Sequence, residues 1–523
     1  FDGYEAQGYD LTDTIGLAGL EASYEEWLHG VKGLESIEVD VTGQKIRTVS
    51  ENIEVRPGHN LRLTIDVGLQ EVTAQALQEQ MTEVNSNQGV AIAMNPQTGE
   101  ILAMVSLPSF DNNSFARGIS ARELSLLSED PWTPLVNHAI AGLYPPGSIF
   151  KIIPAAGALQ ERTVYSDTLF IDEGTLYLPN QFEPENLDLA QPFYCWLRTG
   201  HGPVNMVAAL AFSCDVYFYQ VGGGYYPAEY EGLGLERMGK YAEMLGLGEP
   251  TGIDIPGEVS GLVPNQKWKR LNYAETWLTG DTYNMAIGQG FVLATPLQMV
   301  NAYAAIANGG TLYRPYLVKE ILDADDNVVK TNEPQVIRKL AVDPQYMALI
   351  HEGLRDVIAW EAGTAHDQFD VPGIIASGKT GTAEFCDRYP QCLDRDGRVR
   401  TSHAWFASYA PSNNPTIVTV VFVYGGGEGS EVAVPVTNKI LRYYFNIEDE
   451  EEEAEPEETE EIIPAIQPDA AFTARLLGTD NGSSEKATVS GFVLDATGQG
   501  VSDILINVVA NDQILAQIKS GLT

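Results

Sequence analysis

The strongest constraint on this chain is that its strand-like segments fall into two groups with a long helical stretch between them. "GVAIAMNPQTGEILAMVSLPSF", Gly89 to Phe110, reads as two strands around the turn Asn95–Gly99. "IIASGKTGTAEF", "SHAWFASYAP" and "TIVTVVFVYGGG", between residues 374 and 427, read as three more, the last two joined by the tight "PSNNP" connection. The middle carries helical patterns such as "NMVAALAFSCDVYFYQV" and "TPLQMVNAYAAIANGG". Strands, then helices, then strands predicts an α+β fold in which distant segments meet in one sheet. Ahead of the first strands, "LRLTIDVGLQEVTAQALQEQM" predicts a helix capped by Asp66, with Leu69, Val72, Ala76 and Leu77 on one face.

The two ends differ from this main body, which is taken as residues 61–446. Residues 1–60 hold "GLAGLEASYEEWLHGVKG" and a short strand pair turned at Thr42–Gly43, too little for a complete domain. After Asn446 the composition turns to "EDEEEEAEPEETEE", with eleven carboxylates between Glu448 and Glu461, the pattern of a solvated linker, taken as 447–484. Residues 485–523 read as the first strands of a β-sandwich-like module.

Formal charge is −41, so the surface repels phosphate backbones and nucleic acid is excluded as a partner. No apolar run approaches the length, about 18 residues, that spans a bilayer. The sequence opens at Phe1 rather than methionine, which leaves room for an anchor or signal upstream. Four cysteines are too few for a disulfide scaffold. For Cys386 and Cys392, close together in "CDRYPQC", a bridge and two free thiols are both open readings.

"YPPGSIFK" sets Ser148 three residues before Lys151. A serine hydroxyl is a weak nucleophile and needs a base within reach, and helical i, i+3 spacing brings the lysine near. The same pattern also describes a serine that merely caps a helix. Neutralising a lysine near pH 7 costs roughly 4–5 kcal/mol, so Lys151 as a base needs burial or a second cation. "SGKTGT", Ser377 to Thr382, offers that cation in Lys379, a hydroxyl for a carboxylate in Thr380, and in Gly381 a residue that lets substrate backbone approach. "FSCDVYFYQ" adds Ser213 and Asp215 at a helix connection, where the serine is suited to relay a proton.

Each motif alone is weak. In the order S-x-x-K, S-x-[ND], K-T-G they are the set of serine β-lactamases and penicillin-binding proteins. With "TGIDIPGEVSGLVP", "YNMAIGQGFVLATPLQMVNAYAAIANGG" and "AWFASYAP", residues 10 to 446 resemble a class B penicillin-binding protein, a peptidoglycan D,D-transpeptidase. S-x-D is similar to the elongation branch, the penicillin-binding protein 2 type. The resemblance implies a β-lactamase-like transpeptidase domain on a partial pedestal, anchored at the extracytoplasmic face of a bacterial membrane beside a membrane-embedded glycosyltransferase. It makes Ser148 the acylated nucleophile, Lys151 its base and Ser213 the relay. It gives Lys379 and Thr380 to the substrate's terminal carboxylate, counts Thr382 with them as substrate-binding, and gives the backbone N–H groups of Ser148 and Thr382 to the oxyanion. Substrates are stem peptides and inhibitors β-lactams. A D,D-carboxypeptidase or β-lactamase-type hydrolase and a non-turnover penicillin sensor are the rival readings.

Two departures stand out. Asp215 replaces the usual Asn and would hold Lys151 charged if close, so it is expected to point elsewhere, toward Lys379 or a substrate amide. Pro154 lacks the N–H that would bond Phe150 and is expected to disturb the helix. The chemistry requires no cofactor. Some elongation-type relatives carry a structural zinc held by two Asp, a His and a Cys, and the resemblance implies Asp172, Cys195, His201 and Cys214 as its ligands here, with Cys195 where the second Asp stands.

Overall fold

Apolar residues on both faces of successive strands require a sheet covered on both sides, and that is what forms. The structure, a computed structural model, describes residue 9, residues 13–49, 53–116, 118–385 and 402–447, and the backbone of four strands between 472 and 519. The central sheet comprises β1 (Gly89–Met94), β2 (Ile101–Leu107), β3 (Ser377–Glu384), β4 (Ser402–Ala410) and β5 (Ile417–Val423). Their order is β3-β4-β5-β1-β2 and every pairing is antiparallel. The two sequence groups meet where β5 pairs with β1, Thr419 opposite Ala93. Strand β3, which carries "SGKTGT", lies at the edge.

Strand alternation divides the core in two. Val90, Ile92, Trp405, Ala407, Tyr409, Val420 and Phe422 join one cluster, with α2 (Ile152–Gln160) and α5 (Pro296–Ala307). Ala91, Ala93, Ala404, Phe406, Val421 and Val423 join the other, with α1 (Val67–Glu83) and α7 (Gly429–Tyr444). Helices α3 (Met206–Ala211), α4 (Asp215–Gly223) and α6 (Pro344–Ala359) extend the first side, α6 packing on both α3 and β3.

Local signals explain where these helices start. Asp66 caps α1 by accepting from Leu69 N at 2.9 Å. The "TPLQ" of α5 is a capping box in which Thr295 Oγ1 accepts from Gln298 N and Gln298 Oε1 from Thr295 N. In α1 the buried face is Leu69, Thr73, Ala76, Leu77 and Met81, with Val72 only half-buried at its margin.

In the N-terminal segment Ile37–Val39 pairs with Lys45–Thr48, and Asp40 Oδ1 accepts from Thr42 and Gln44 N across the turn. No helix among the described residues is long and apolar enough to cross a membrane. The chain divides into two units, Phe1–Asp449 and Glu450–Thr523. In the second, Phe472–Asp480 pairs with Thr488–Asp495 and Leu505–Ala510 with Gln513–Lys519. The first of these strands begins inside the stretch read as linker, because a β-rich run follows the acidic block. The acidic block, Cys386 and Cys392 lie outside the described residues.

Candidate active site

Ser148 stands on a tight turn. Gly147 enters it at φ +56°, and residues Gly147–Lys151 form a single 3₁₀ segment that passes into α2 at Ile152. Residues i and i+3 eclipse in a 3₁₀ turn, so Ser148 and Lys151 are aligned more closely than in an α-helix. Pro154 falls in the first turn of α2, where the missing N–H does little harm, and the irregularity expected of it takes the form of this change of helix type. The turn is fixed from both sides. Gly147 N donates to Gly288 O at 2.9 Å, Trp405 Nε1 to Pro145 O at 3.1 Å, and Tyr303 Oη to Ile149 O at 2.9 Å.

The turn lies against β3. A side chain at Gly147 would meet Thr382 O at 2.9 Å, and one at Gly381 would meet Trp405 Cβ at 3.0 Å, Ile149 Cγ2 at 3.1 Å and Pro146 O at 3.3 Å. The space left open at Gly381 is therefore filled by the protein's own turn. This corrects the expectation that the glycine serves substrate approach: it lets Ser148 and β3 come together.

Lys151 is wholly buried, and its Nζ donates to Ser213 O at 2.8 Å, Ser213 Oγ at 3.1 Å and Asp215 Oδ1 at 2.6 Å. Ser213 holds φ +55° in the connection between α3 and α4, which presents both its oxygens to the lysine. Asp215 is the first residue of α4, and its other oxygen accepts from Trp196 N at 3.1 Å. The expectation that Asp215 points away from Lys151 is thus overturned. In a buried site the opposite charge is the partner an ammonium requires, and three acceptors use all three of its donors.

Lys379 is also wholly buried, and Thr380 O is its acceptor at 3.1 Å. Burial, and then the Lys151 charge, push its ammonium well below the ordinary lysine range, with Asp215 opposing. Thr380 Oγ1 bonds Thr364 Oγ1 at 2.6 Å, and Thr382 Oγ1 donates to Glu428 Oε2 at 2.7 Å. Trp196, Thr364 and Glu428 were not singled out from the sequence; Trp196, beside Cys195 in "YCW", was the nearest to being visible.

Beside α4 the ligand atoms of Asp172, Cys195, His201 and Cys214 lie within 4.8 Å of one another. His201 Nδ1 and Asp172 Oδ2 are 2.7 Å apart, Cys195 Sγ and His201 Nδ1 3.5 Å, and Cys214 Sγ and Asp172 Oδ2 3.3 Å. Asp172, Cys195 and Cys214 are buried, and His201 Nε2 is buried without a hydrogen-bond partner. A hydrogen bond from Cys214 lowers Cys195 to about 6 against the effect of burial. Burial opposes charge on His201, but Asp172 and Cys195 raise it to about 9. Two thiols, an imidazole and a carboxylate at these separations fit tetrahedral zinc, whose ligand atoms stand roughly 3.3–3.8 Å apart.

A serine on a 3₁₀ turn, a buried lysine at i+3 bonded to a second serine, and a Lys-Thr-Gly edge strand come together on a two-sided antiparallel sheet. The family model for the penicillin-binding protein transpeptidase domain matches residues 89–442, and that for the penicillin-binding protein dimerisation domain matches residues 1–63. The chain belongs to the penicillin-binding protein transpeptidase family.

It is 34% identical over 444 residues to the peptidoglycan D,D-transpeptidase MrdA of Haemophilus influenzae, covering 84% of this chain and 64% of that protein. It is 32% identical to stage V sporulation protein D of Bacillus subtilis, covering 83% and 61%. The chain thus spans under two thirds of the length of these relatives. Among solved structures, PBP2 of Pseudomonas aeruginosa in complex with WCK 5153 superposes with a TM-score of 0.68 at 30% identity, covering 85% of this chain and 86% of that one. PBP2 of Helicobacter pylori in complex with MreC gives 0.71 at 27%, covering 85% and 75%.

Proposed function

We propose that this chain is a peptidoglycan D,D-transpeptidase of the elongation type, cross-linking stem peptides through an acyl-serine and acylated by β-lactams. The observation that carries the reading is the network in which Lys151, aligned with Ser148, bonds Ser213 Oγ at 3.1 Å beside the Lys379–Thr382 strand. The names of its relatives point the same way.

In the first half-reaction Ser148 Oγ attacks the carbonyl of the penultimate D-Ala and its proton passes to the free amine of Lys151. The developing oxyanion takes hydrogen bonds from the backbone N–H groups of Ser148 and Thr382; one such donor is typically worth about 3–4 kcal/mol. The C–N bond breaks, terminal D-Ala leaves with a proton relayed by Ser213, and its carboxylate has been held by Lys379 and Thr380. In the second half an acceptor amine attacks the ester, a new C–N bond forms as the C–Oγ bond breaks, and a proton of the amine returns to Ser148 Oγ.

Asp172, Cys195, His201 and Cys214 would hold a structural zinc. Closed by four protein ligands, such an ion would supply no Lewis-acid chemistry and would fix the strand and loop around Cys214, next to Ser213. The enzyme would work at the extracytoplasmic face of a bacterial membrane, beside a membrane-embedded glycosyltransferase. Related structures include a peptidoglycan synthase complex and a complex with MreC, and these support such company.

Labelled penicillin is expected to modify Ser148 stably, and Ser148→Ala to lose the label while keeping the parent's melting transition. Undiminished labelling of that variant would overturn the reading.

A further inference from the structure

Thr364 ties the Ser213 connection to the Lys-Thr-Gly strand. It follows α6 on a turn in which Gly363 N donates to Trp360 O at 2.8 Å, Ala365 N to Val357 O at 2.9 Å and His366 N to Gly363 O at 3.1 Å. A side chain at Gly363 would meet Asp356 O and Val357 O at 2.4 Å, so the turn lies flush against the end of α6. From there Thr364 N donates to Ala211 O at 3.3 Å, at the end of α3 and two residues ahead of Ser213. Its hydroxyl reaches the other way, to Thr380 Oγ1 on β3 at 2.6 Å.

A single hydrogen bond joins the two hydroxyls, and each has one hydrogen, so one donates and the other accepts. Among the described residues neither hydroxyl has a further hydrogen-bond partner. Thr380 is buried and Thr364 half-buried, so water does little to reorient the pair. An ionised carboxylate can only accept. To bond one, Thr380 must spend its hydrogen on the ligand, and the bond between the threonines must then run from Thr364 to Thr380.

We infer that Thr364 is a positioning residue that makes Thr380 a hydrogen-bond donor, and through it selects substrates that end in a free carboxylate; this rests on the transpeptidase reading. Hydrogen bonds run one way, from Thr364 through Thr380 to the carboxylate, and bonds in such a chain strengthen one another. Lys379 offers the same group a compact charge, whereas the threonine pair offers direction. Without the Thr364 hydroxyl, Thr380 loses the donor that holds its own hydrogen outward and turns freely about its C–O bond. A neutral carboxamide both donates and accepts, so it bonds Thr380 in either orientation and has no need of Thr364.

The test follows acylation of the full chain by benzylpenicillin, which carries an ionised carboxylate, and by its carboxamide analogue, which differs at that group alone. Thr364→Val keeps the branched shape and removes the hydroxyl. It is expected to slow acylation by benzylpenicillin about tenfold relative to the carboxamide, since hydrogen bonds to charged groups are the stronger kind. Thr364→Ser is expected to restore the parent's ratio. A disturbed fold or a shifted turn lowers both rates together, so the ratio reads the inference whatever the melting temperature of the variant. An equal change for the two ligands, or an unchanged rate with benzylpenicillin, overturns it. Failure of the parent to be acylated by either ligand would instead overturn the transpeptidase reading.

Discussion

Lys151 and Asp215 form an ion pair at 2.6 Å, with the lysine wholly buried and the carboxylate held from its other side by Trp196 N. The lysine of the S-x-x-K motif thus rests against a carboxylate. Replacing Asp215 by Asn removes the anion and favours the free amine. The acid limb of the penicillin-acylation profile is expected to move to lower pH, the direction in which losing an adjacent opposite charge acts. A stopped-flow pH series checks this, and an unmoved limb would mean that the proton leaves by a route independent of the pair.

Lys379 is the second buried cation, and its charge is disfavoured by burial and by Lys151. Because its folded value is depressed, the unfolded chain binds the extra proton between that value and the ordinary lysine range, so this penalty shrinks as pH rises toward about 10.4. Lys379→Met is expected to melt a few degrees higher than the parent at pH 7, with the gap closing above pH 9, while penicillin acylation falls at least a hundredfold. Paired melting curves and acylation rates show both effects; a lower melting point at pH 7 contradicts the argument.

Gly147 combines a left-handed φ of +56° with a 2.9 Å approach to Thr382 O. Gly147→Ala meets both obstacles, and strain of this kind costs about 1–3 kcal/mol. Acylation is expected to drop tenfold or more with only a small loss of melting temperature, since α2 and β3 persist and only their spacing changes. Hydrogen exchange at residues 147–151 is expected to quicken in the same variant.

The four-residue cluster gives a prediction in metal. Protein purified without added zinc is expected to carry one equivalent, and Cys195→Ser substantially less; a metal-free parent ends the proposal. In chelator-treated protein the raised His201 stabilises below its unfolded value and loses that contribution as pH rises through about 9, while the lowered Cys195 loses its own as pH falls through about 6. Between those limits the two contributions change in opposite directions and nearly cancel, so the metal-free melting temperature is expected to vary little with pH there. Zinc must displace the His201 proton, so its affinity is expected to climb with pH up to about 9.

The order of the motifs made Ser148, Lys151, Ser213 and the Lys379–Thr382 strand legible, because chemistry demands those side chains in one place whatever the path between them. The sheet was legible for a similar reason: runs such as Ile417–Val423 have nowhere to hide except between two apolar layers. Direction was not legible. Asp215 was expected to point away from Lys151 on electrostatic grounds, yet a left-handed Ser213 starts α4 so that its first residue faces the lysine. Gly381 was misjudged because the atoms that approach it, Pro146 O and Ile149 Cγ2, come from more than two hundred residues earlier. Asp172, Cys195, His201 and Cys214 were found through likeness to relatives, since their spacing fits no compact metal motif. Glu428 gave no signal, being one acid among many near a helix start.

The pairing of β1 with β5 joins residue 93 to residue 419 in the middle of the sheet. A chain made or exported from its N-terminus holds both strands of the first hairpin, and the Ser148 turn, long before the strands that flank them exist. Until the last third emerges, Val90, Ile92 and Ala93 have no partner along one edge, which is the situation in which hairpins pair with the wrong chain. Folding is bound to be slow and late by this topology. Ser148 is written early, but it gains its Lys-Thr-Gly wall only when the polypeptide is nearly complete, so a shortened product lacks one side of the site.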